Sequence, residues 1–167
     1  MLVPAILYKN EIENKSKELC YSDQAFYYGD GLGQNKIYVE EEDQFGELFQ
    51  YAILNSKKEL IGYFRYRINW YNSCAHAFGL INLTNIPQGI IGIDVRRELE
   101  KIINKYKVHR IEFRMIGGNP VECHYKKKKK KHNGKIFTLT DAIKDREGLY
   151  HDDVIYEIIC DKKGDIR

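Results

Sequence analysis

Three groups of residues in this chain combine type and spacing in a way that suits chemistry. The first is Gln88-Gly89-Ile90-Ile91-Gly92, which follows an apolar stretch over 74–83 and precedes Val95, Leu99, Ile102, Ile103 and Tyr106. A turn between strand and helix presents successive backbone N–H groups at the positive end of the helix dipole, a good holder for a pyrophosphate. The same residues also suit a plain connecting loop with no ligand. The second group is Asn119-Pro120-Val121-Glu122-Cys123-His124-Tyr125, which places a phenol beyond the next strand, beside whatever the turn binds. The third is a pair of proton carriers on strand-like segments, His76 and Glu112, either of which could reach a cleft as a general base. Their ordinary readings are a satisfied strand histidine and an acid paired with Arg110 and Arg114.

Other constellations carry less. Gly29-Asp30-Gly31-Leu32-Gly33 is glycine-rich, but no clear strand precedes it and no helix pattern follows, so it reads as a turn that could shape an acceptor cleft. Tyr150-His151-Asp152 has triad-like composition, yet consecutive strand residues point to alternate faces and cannot converge on one atom. Structural hydrogen bonding is the expectation there. The run Lys126–Lys131 has three readings: a solvated basic face, contacts to a sugar phosphate, or a nucleic-acid surface. Nucleic acid is disfavoured because the run has no interleaved aromatic residues. No H-x-x-x-H pattern or clustered carboxylates suggest a metal.

The elements that must position these groups follow from periodicity. Leu2–Tyr8 reads as a first strand, followed by a helix with capping-box spacing at Asn10 and Glu13, then a short helical piece over Ser22–Tyr28. Phe49–Leu54 and Leu60–Trp70 read as an antiparallel pair, the second with Phe64, Tyr66, Ile68 and Trp70 alternating against Arg65, Arg67 and Asn69. Cys74–Leu83 is a further strand. Val95, Leu99, Ile102, Ile103 and Tyr106 then mark one helical face, and Val108–Met115 alternates as a strand. Strands followed by alternating helix and strand predict an α/β chain with a single mixed, mostly antiparallel central sheet flanked by helices. At 167 residues and 43% hydrophobic content the chain suits a single domain over 1–167.

Charge is uneven along the chain. Residues 1–55 hold four lysines against ten acids, and residues 56–167 hold 23 basic against 14 acidic side chains. An anionic cofactor on one side and a cationic acceptor on the other would suit this split, and so would solvated faces. No apolar run approaches the roughly 18 to 20 residues a membrane span needs, and no secretory leader is visible, so a cytoplasmic location with no membrane partner is expected. Cys20, Cys74, Cys123 and Cys160 form no C-x-x-C pair and read as free, structural thiols of a reducing compartment.

Taken in order, the turn at Gln88–Gly92, the strand containing Arg110-Ile111-Glu112-Phe113, Asn119-Pro120 with Tyr125, and the closing Asp141-Ala142, Gly148-Leu149-Tyr150-His151-Asp152 resemble the GNAT superfamily of acetyl-CoA-dependent N-acetyltransferases. The closing residues look most like the branch of ribosomal-protein N-terminal and spermidine acetyltransferases. The likeness covers roughly Tyr51–Ile159. It implies a GNAT fold and transfer of an acetyl group from acetyl-CoA, as co-substrate, to a primary amine of a protein or small molecule by direct attack. It further implies cofactor contacts from Ile81, Leu83, Gln88, Gly89, Ile90, Ile91, Gly92 and Asn119, with Tyr125 as the acid that protonates the departing thiolate. The base is left open among His76, Glu112 and a water chain from solvent, with His76 carried as the candidate catalytic residue, and a monomer or homodimer is expected. Two departures from the family pattern stand out: Ile91 occupies a position expected to be small, and Asn119 to Tyr125 is one residue short. Accordingly, a catalytically impaired GNAT-fold binding module and a nucleic-acid-binding accessory domain using the lysine run stand as alternatives.

Overall fold

The computed structural model describes residues 1–19, 37–41, 45–84, 86, 88–119, 122–131, 134–145 and 147–160. Ser22–Tyr28 and the Gly29–Gly33 run lie outside these, so those two expectations have no structural counterpart here. The strands are β1 (Leu2–Pro4), β2 (Leu48–Leu54), β3 (Leu60–Asn69), β4 (Cys74–Asn82), β5 (Arg110–Ile116), β6 (Lys135–Lys144) and β7 (Tyr150–Ile159). The helices are α1 (Lys9–Leu19), α2 (Gly89–Asn104) and α3 (Glu122–Lys131). The strands form one sheet in the order β1-β2-β3-β4-β5-β7-β6, and every neighbouring pair is antiparallel except β4 and β5. The mixed, mostly antiparallel sheet flanked by helices is thus observed. Among the described residues no helix is long and apolar enough to cross a membrane.

Each face of the sheet buries its own apolar cluster. On one side Ile91, Leu99, Ile102 and Ile103 of α2 and the Tyr125 ring of α3 pack on Phe64, Tyr66, Ile68, Ile111, Phe113 and Tyr156. On the other, Ala5 and Ile12 pack on Ala52, Leu54, Leu60, Tyr63, Ile81 and Leu83. The alternation read in β3 holds: Phe64, Tyr66 and Ile68 are buried while Arg65, Arg67 and Asn69 are half-exposed, and Trp70 falls in the turn after the strand.

The first strand is shorter than its sequence suggested. It stops at Pro4, and Ala5–Tyr8 form a 3-10 turn that runs straight into α1. Because the helix begins at Lys9, Asn10 lies inside it, and the capping box expected at Asn10 and Glu13 does not form. Glu13 instead accepts the Val39 N–H (3.2 Å) and Ser16 accepts the Ile37 N–H (3.1 Å), tying down a segment that pairs with no strand among the described residues.

Helix α2 is also fixed by two buried acids that its apolar stripe did not reveal. Asp94 meets the amino group of Met1. Glu98 accepts hydrogen bonds from the Tyr66 hydroxyl (2.7 Å), the Tyr51 hydroxyl (2.9 Å) and the Lys101 ammonium (2.8 Å). Burial, reinforced by Glu98, pushes both tyrosines above the usual phenol range, so they remain donors. This network clamps α2 onto β2 and β3.

Candidate functional site

The parallel pair β4 and β5 is joined only through Cys74–Arg110 and Ala75–Ile111. Beyond those residues the strands part. The cause is local to β4: Arg65 pairs with Gly79 but Arg67 with His76, so one extra residue is accommodated near Ala77, which takes a left-handed backbone (φ 53°). Such a bulge bends its strand away from a straight ladder. The result is a gap that widens toward the ends of β4 and β5.

The direction of the backbone groups along this gap can be worked out from one bond. Leu83 N–H donates to Ile61 C=O (2.9 Å), and alternate residues of an antiparallel strand share that direction. Ile81 and Gly79, opposite Tyr63 and Arg65, therefore bond to β3, while the N–H and C=O of Leu80 and Asn82 turn toward the gap. The expected pair Ile81 and Leu83 is one residue out of step: both are buried in the α1-side cluster and their backbones are committed to β3. Strand parity after a bulge is invisible in the sequence. The end of the strand was legible, because Asn82 Oδ1 accepts from Thr84 N (2.9 Å) and Thr84 Oγ1 (2.7 Å), a turn that asparagine favours.

Helix α2 starts at the open end of β4. Gln88 is its N-cap residue and makes no side-chain cap, while its carbonyl accepts Ile91 N–H (3.1 Å). The first N–H groups of a helix have no partner within it. A Cβ added at Gly89 or Gly92 would meet nothing within 4 Å, so the outer surface of this turn is open. Ile91 points the other way, into the core, where its Cδ1 lies 3.3 Å from a Cβ built on Gly62. Its bulk is spent on packing and does not narrow the approach to the turn, and Ile90 is half-buried beside it.

On the far side of the gap, Asn119 C=O accepts Glu122 N–H (2.8 Å) at the start of α3. Tyr125 stands one turn in, with its ring 5.0 Å from Phe113 and 5.8 Å from Tyr156, and Phe113 in turn 4.7 Å from Phe78 of β4. A row of rings thus floors the gap from β4 to α3. Burial alone pushes the Tyr125 phenol above its usual range, so it keeps its proton at neutral pH. His76 and Glu112 are the first residues past the last ladder pair, on β4 and β5 respectively. Since Ala75 and Ile111 face the α2 side, alternation turns His76 and Glu112 to the opposite face at the vertex of the gap. Glu112 is paired with Arg110 (3.0 Å), as expected, whereas Arg114 holds Asp153 instead.

The closing hairpin and the start of the lysine run are held by local ion pairs. His151 Nε2 bonds Asp145 (2.8 Å), which holds the Asp145 carboxyl below the usual range, while Tyr150 is exposed. Lys126 pairs with Glu122 (3.0 Å) at the start of the lysine run. Cys74 and Cys160 are buried, but Cys123 is exposed, because α3 turns that residue away from the sheet. An open cleft of ≈ 530 Å³ between α3 and the β6–β7 hairpin, lined by Gly117, Gly118, Glu122, Lys126, Thr138 and Tyr156, had no sequence signal.

Against solved structures, the chain resembles the spermidine/spermine N-acetyltransferase of Vibrio cholerae with a TM-score of 0.56 at 18% identity, over 70% of this chain and 67% of that one. The chain adopts the GNAT fold. A probable acetyltransferase matches with a TM-score of 0.53 at 16% identity, over 68% of this chain and 62% of that one. A dodecameric form of the Vibrio cholerae spermidine enzyme also matches, at 18% identity over 69% and 66%. The GNAT-fold match therefore spans about two thirds of these relatives. No family model matches the sequence, and no curated protein sequence matches it either.

Proposed function

We propose that this protein is an N-acetyltransferase that moves an acetyl group from acetyl-CoA to a primary amine of a small molecule or protein. The observation that carries the reading is the gap between β4 and β5, opening beside the uncovered N-terminal turn of α2. The pyrophosphate fits the N–H groups at Gly89 and Ile90, and the pantetheine amides fit the backbone groups of Leu80 and Asn82 as an extra strand would. The thioester then lies toward the ring floor, with Asn119 beside the arm. The acceptor enters from the opposite face at the vertex, where His76 takes the proton that the amine must lose. The amine nitrogen forms a bond to the acetyl carbon as the carbon–sulfur bond breaks, and Tyr125 gives its hydroxyl proton to the sulfur. No covalent enzyme intermediate is needed. Known neighbours of this fold act on spermidine, which supports an amine acceptor.

Titration of acetyl-CoA by calorimetry tests the reading. Binding with 1:1 stoichiometry is expected, with a melting temperature that rises as ligand is added. Neither heat nor a thermal shift at millimolar cofactor would overturn it. A second reading, a cofactor-binding module without turnover, is favoured by the close packing of the Tyr125 ring between Phe113 and Tyr156. Acetyl-CoA binding with no CoA released in the presence of a panel of polyamines and peptides would select that reading.

A further inference from the structure

We propose that the surface built from the turn after β3 and the C-terminal end of α2 binds single-stranded nucleic acid, with bases stacked on Trp70 and Tyr71 and phosphates held by Lys105 and Lys107. The two segments meet through the backbone. His109 N–H donates to Ser73 C=O (2.7 Å), and Arg110 N–H donates to the same oxygen (3.1 Å). The Trp70 and Tyr106 rings meet edge-on at 5.8 Å. Residues 69–73 and 104–110 together hold three aromatic side chains, two lysines, a histidine and an arginine, and no acid. This is the interleaving of rings and cations that Lys126–Lys131 lacks.

The turn is fixed while its rings stay uncovered. Asn69 Oδ1 accepts the N–H groups of Tyr71 (3.0 Å) and Asn72 (3.2 Å), and Trp70 Nε1 donates to Gly46 C=O (3.0 Å). Trp70 nevertheless remains close to half exposed, and Tyr71 is exposed in full. A ring held out on a fixed backbone offers its π face to a base at a small ordering cost. The exposed apolar side chains around this turn, Phe45, Trp70 and Tyr71, are all aromatic. A lipid surface takes up aliphatic and aromatic residues alike, whereas base stacking needs rings. Bases inside a duplex are already stacked on one another, so the rings select a single strand.

Charge agrees with this occupant. Glu98 holds Lys101, Glu100 holds Arg96, and Glu112 and Glu157 hold Arg110. Lys105 and Lys107 are exposed and form no ion pair among the described residues. The neighbouring acid, Glu47, whose carbonyl accepts Ile68 N–H, is half-buried. A cation in the last turn of a helix is explained by the helix dipole alone. Lys107 lies beyond that turn, with a left-handed backbone (φ 52°) at a place where glycine or asparagine is usual. The 16 residues of α2 put about 24 Å between this surface and the turn at Gln88–Gly92, so a bound strand leaves the proposed cofactor turn open.

Trp70 is the only tryptophan of the chain, so its emission reports on this surface directly. Oligouridylate or oligothymidylate of about 12 nucleotides, added to the full chain at about 50 mM salt, should quench that emission, with affinity falling as salt rises. Tyr71→Ala removes a ring that lies in water, so the melting temperature should hold while affinity falls about fivefold or more. Lys105→Gln with Lys107→Gln should weaken binding and reduce the slope of log affinity against log salt by about 1.4, for two phosphates. Lys126→Gln with Lys127→Gln should change neither. Absence of binding to both oligonucleotides would overturn the proposal. So would binding that Tyr71→Ala leaves intact, binding lost with the Lys126 and Lys127 pair instead, or displacement of the strand by acetyl-CoA. Quenching by phosphatidylserine vesicles and by neither oligonucleotide would assign the surface to a membrane and overturn it as well.

Discussion

Glu98 is the residue whose loss should most disturb the scaffold behind the proposed site. Its carboxylate is buried at 7% exposure and takes three donors on one oxygen, from Tyr51, Tyr66 and Lys101. In Glu98→Ala the Tyr66 hydroxyl, wholly buried, is left without an acceptor, which alone costs about 1–3 kcal/mol. Loss of the charge-assisted bond to the half-exposed Tyr51 and of the packed side-chain volume brings the total to about 3–5 kcal/mol. Lys101 is about a third exposed and rehydrates, so it adds little. For a chain of this length that is a fall of roughly 8–16 °C in melting temperature. Glu98→Gln keeps an acceptor for the tyrosines and should cost only about 1–2 kcal/mol. Tyr66→Phe in the Glu98→Ala background should be nearly free, because the unsatisfied hydroxyl has gone, whereas Tyr66→Phe alone should cost at least about 1 kcal/mol. Urea unfolding of the four proteins checks the cycle. Additive costs, or a Glu98→Ala variant within about 1 kcal/mol of the parent, would refute the clamp.

Three further outcomes follow from named contacts. Tyr125→Phe should lower kcat about 100-fold while leaving acetyl-CoA affinity within a few-fold, read by CoA release and calorimetry, because only the proposed thiolate acid is removed. Arg114→Ala should cost about 3 kcal/mol or more in denaturant unfolding, because it strips the guanidinium from Asp153, which is 1% exposed between β5 and β7. Burial opposes ionisation of Glu122, but its hydrogen bonds to Lys126 and Tyr156 outweigh that and hold its carboxyl below the usual range. Its stabilising effect is therefore full above roughly pH 4.3 and fades as pH falls through the lowered value, so Glu122→Gln should flatten that part of the stability–pH curve.

The sequence determined the parts whose information is local. The stripe of α2 and the alternation of β3 follow from the period of apolar residues, since a side chain must face the core or solvent whatever lies beyond it. The parting of Tyr150, His151 and Asp152 onto different partners follows from the same period. What the tertiary structure decided depends on partners far along the chain. Asp94 and Glu98 lie off the apolar stripe that marked the helix, and only the placement of Tyr51 and Tyr66 across the sheet makes Glu98 a buried acceptor. Ile91 read as an obstacle in the turn, until packing against β3 showed its side chain turned inward. One extra residue at Ala77 opened the gap beside β5 and fixed that Leu80 and Asn82, not Ile81 and Leu83, face it. A bulge reverses the facing of every later residue, and its position depends on how two strands pair, which no single segment encodes.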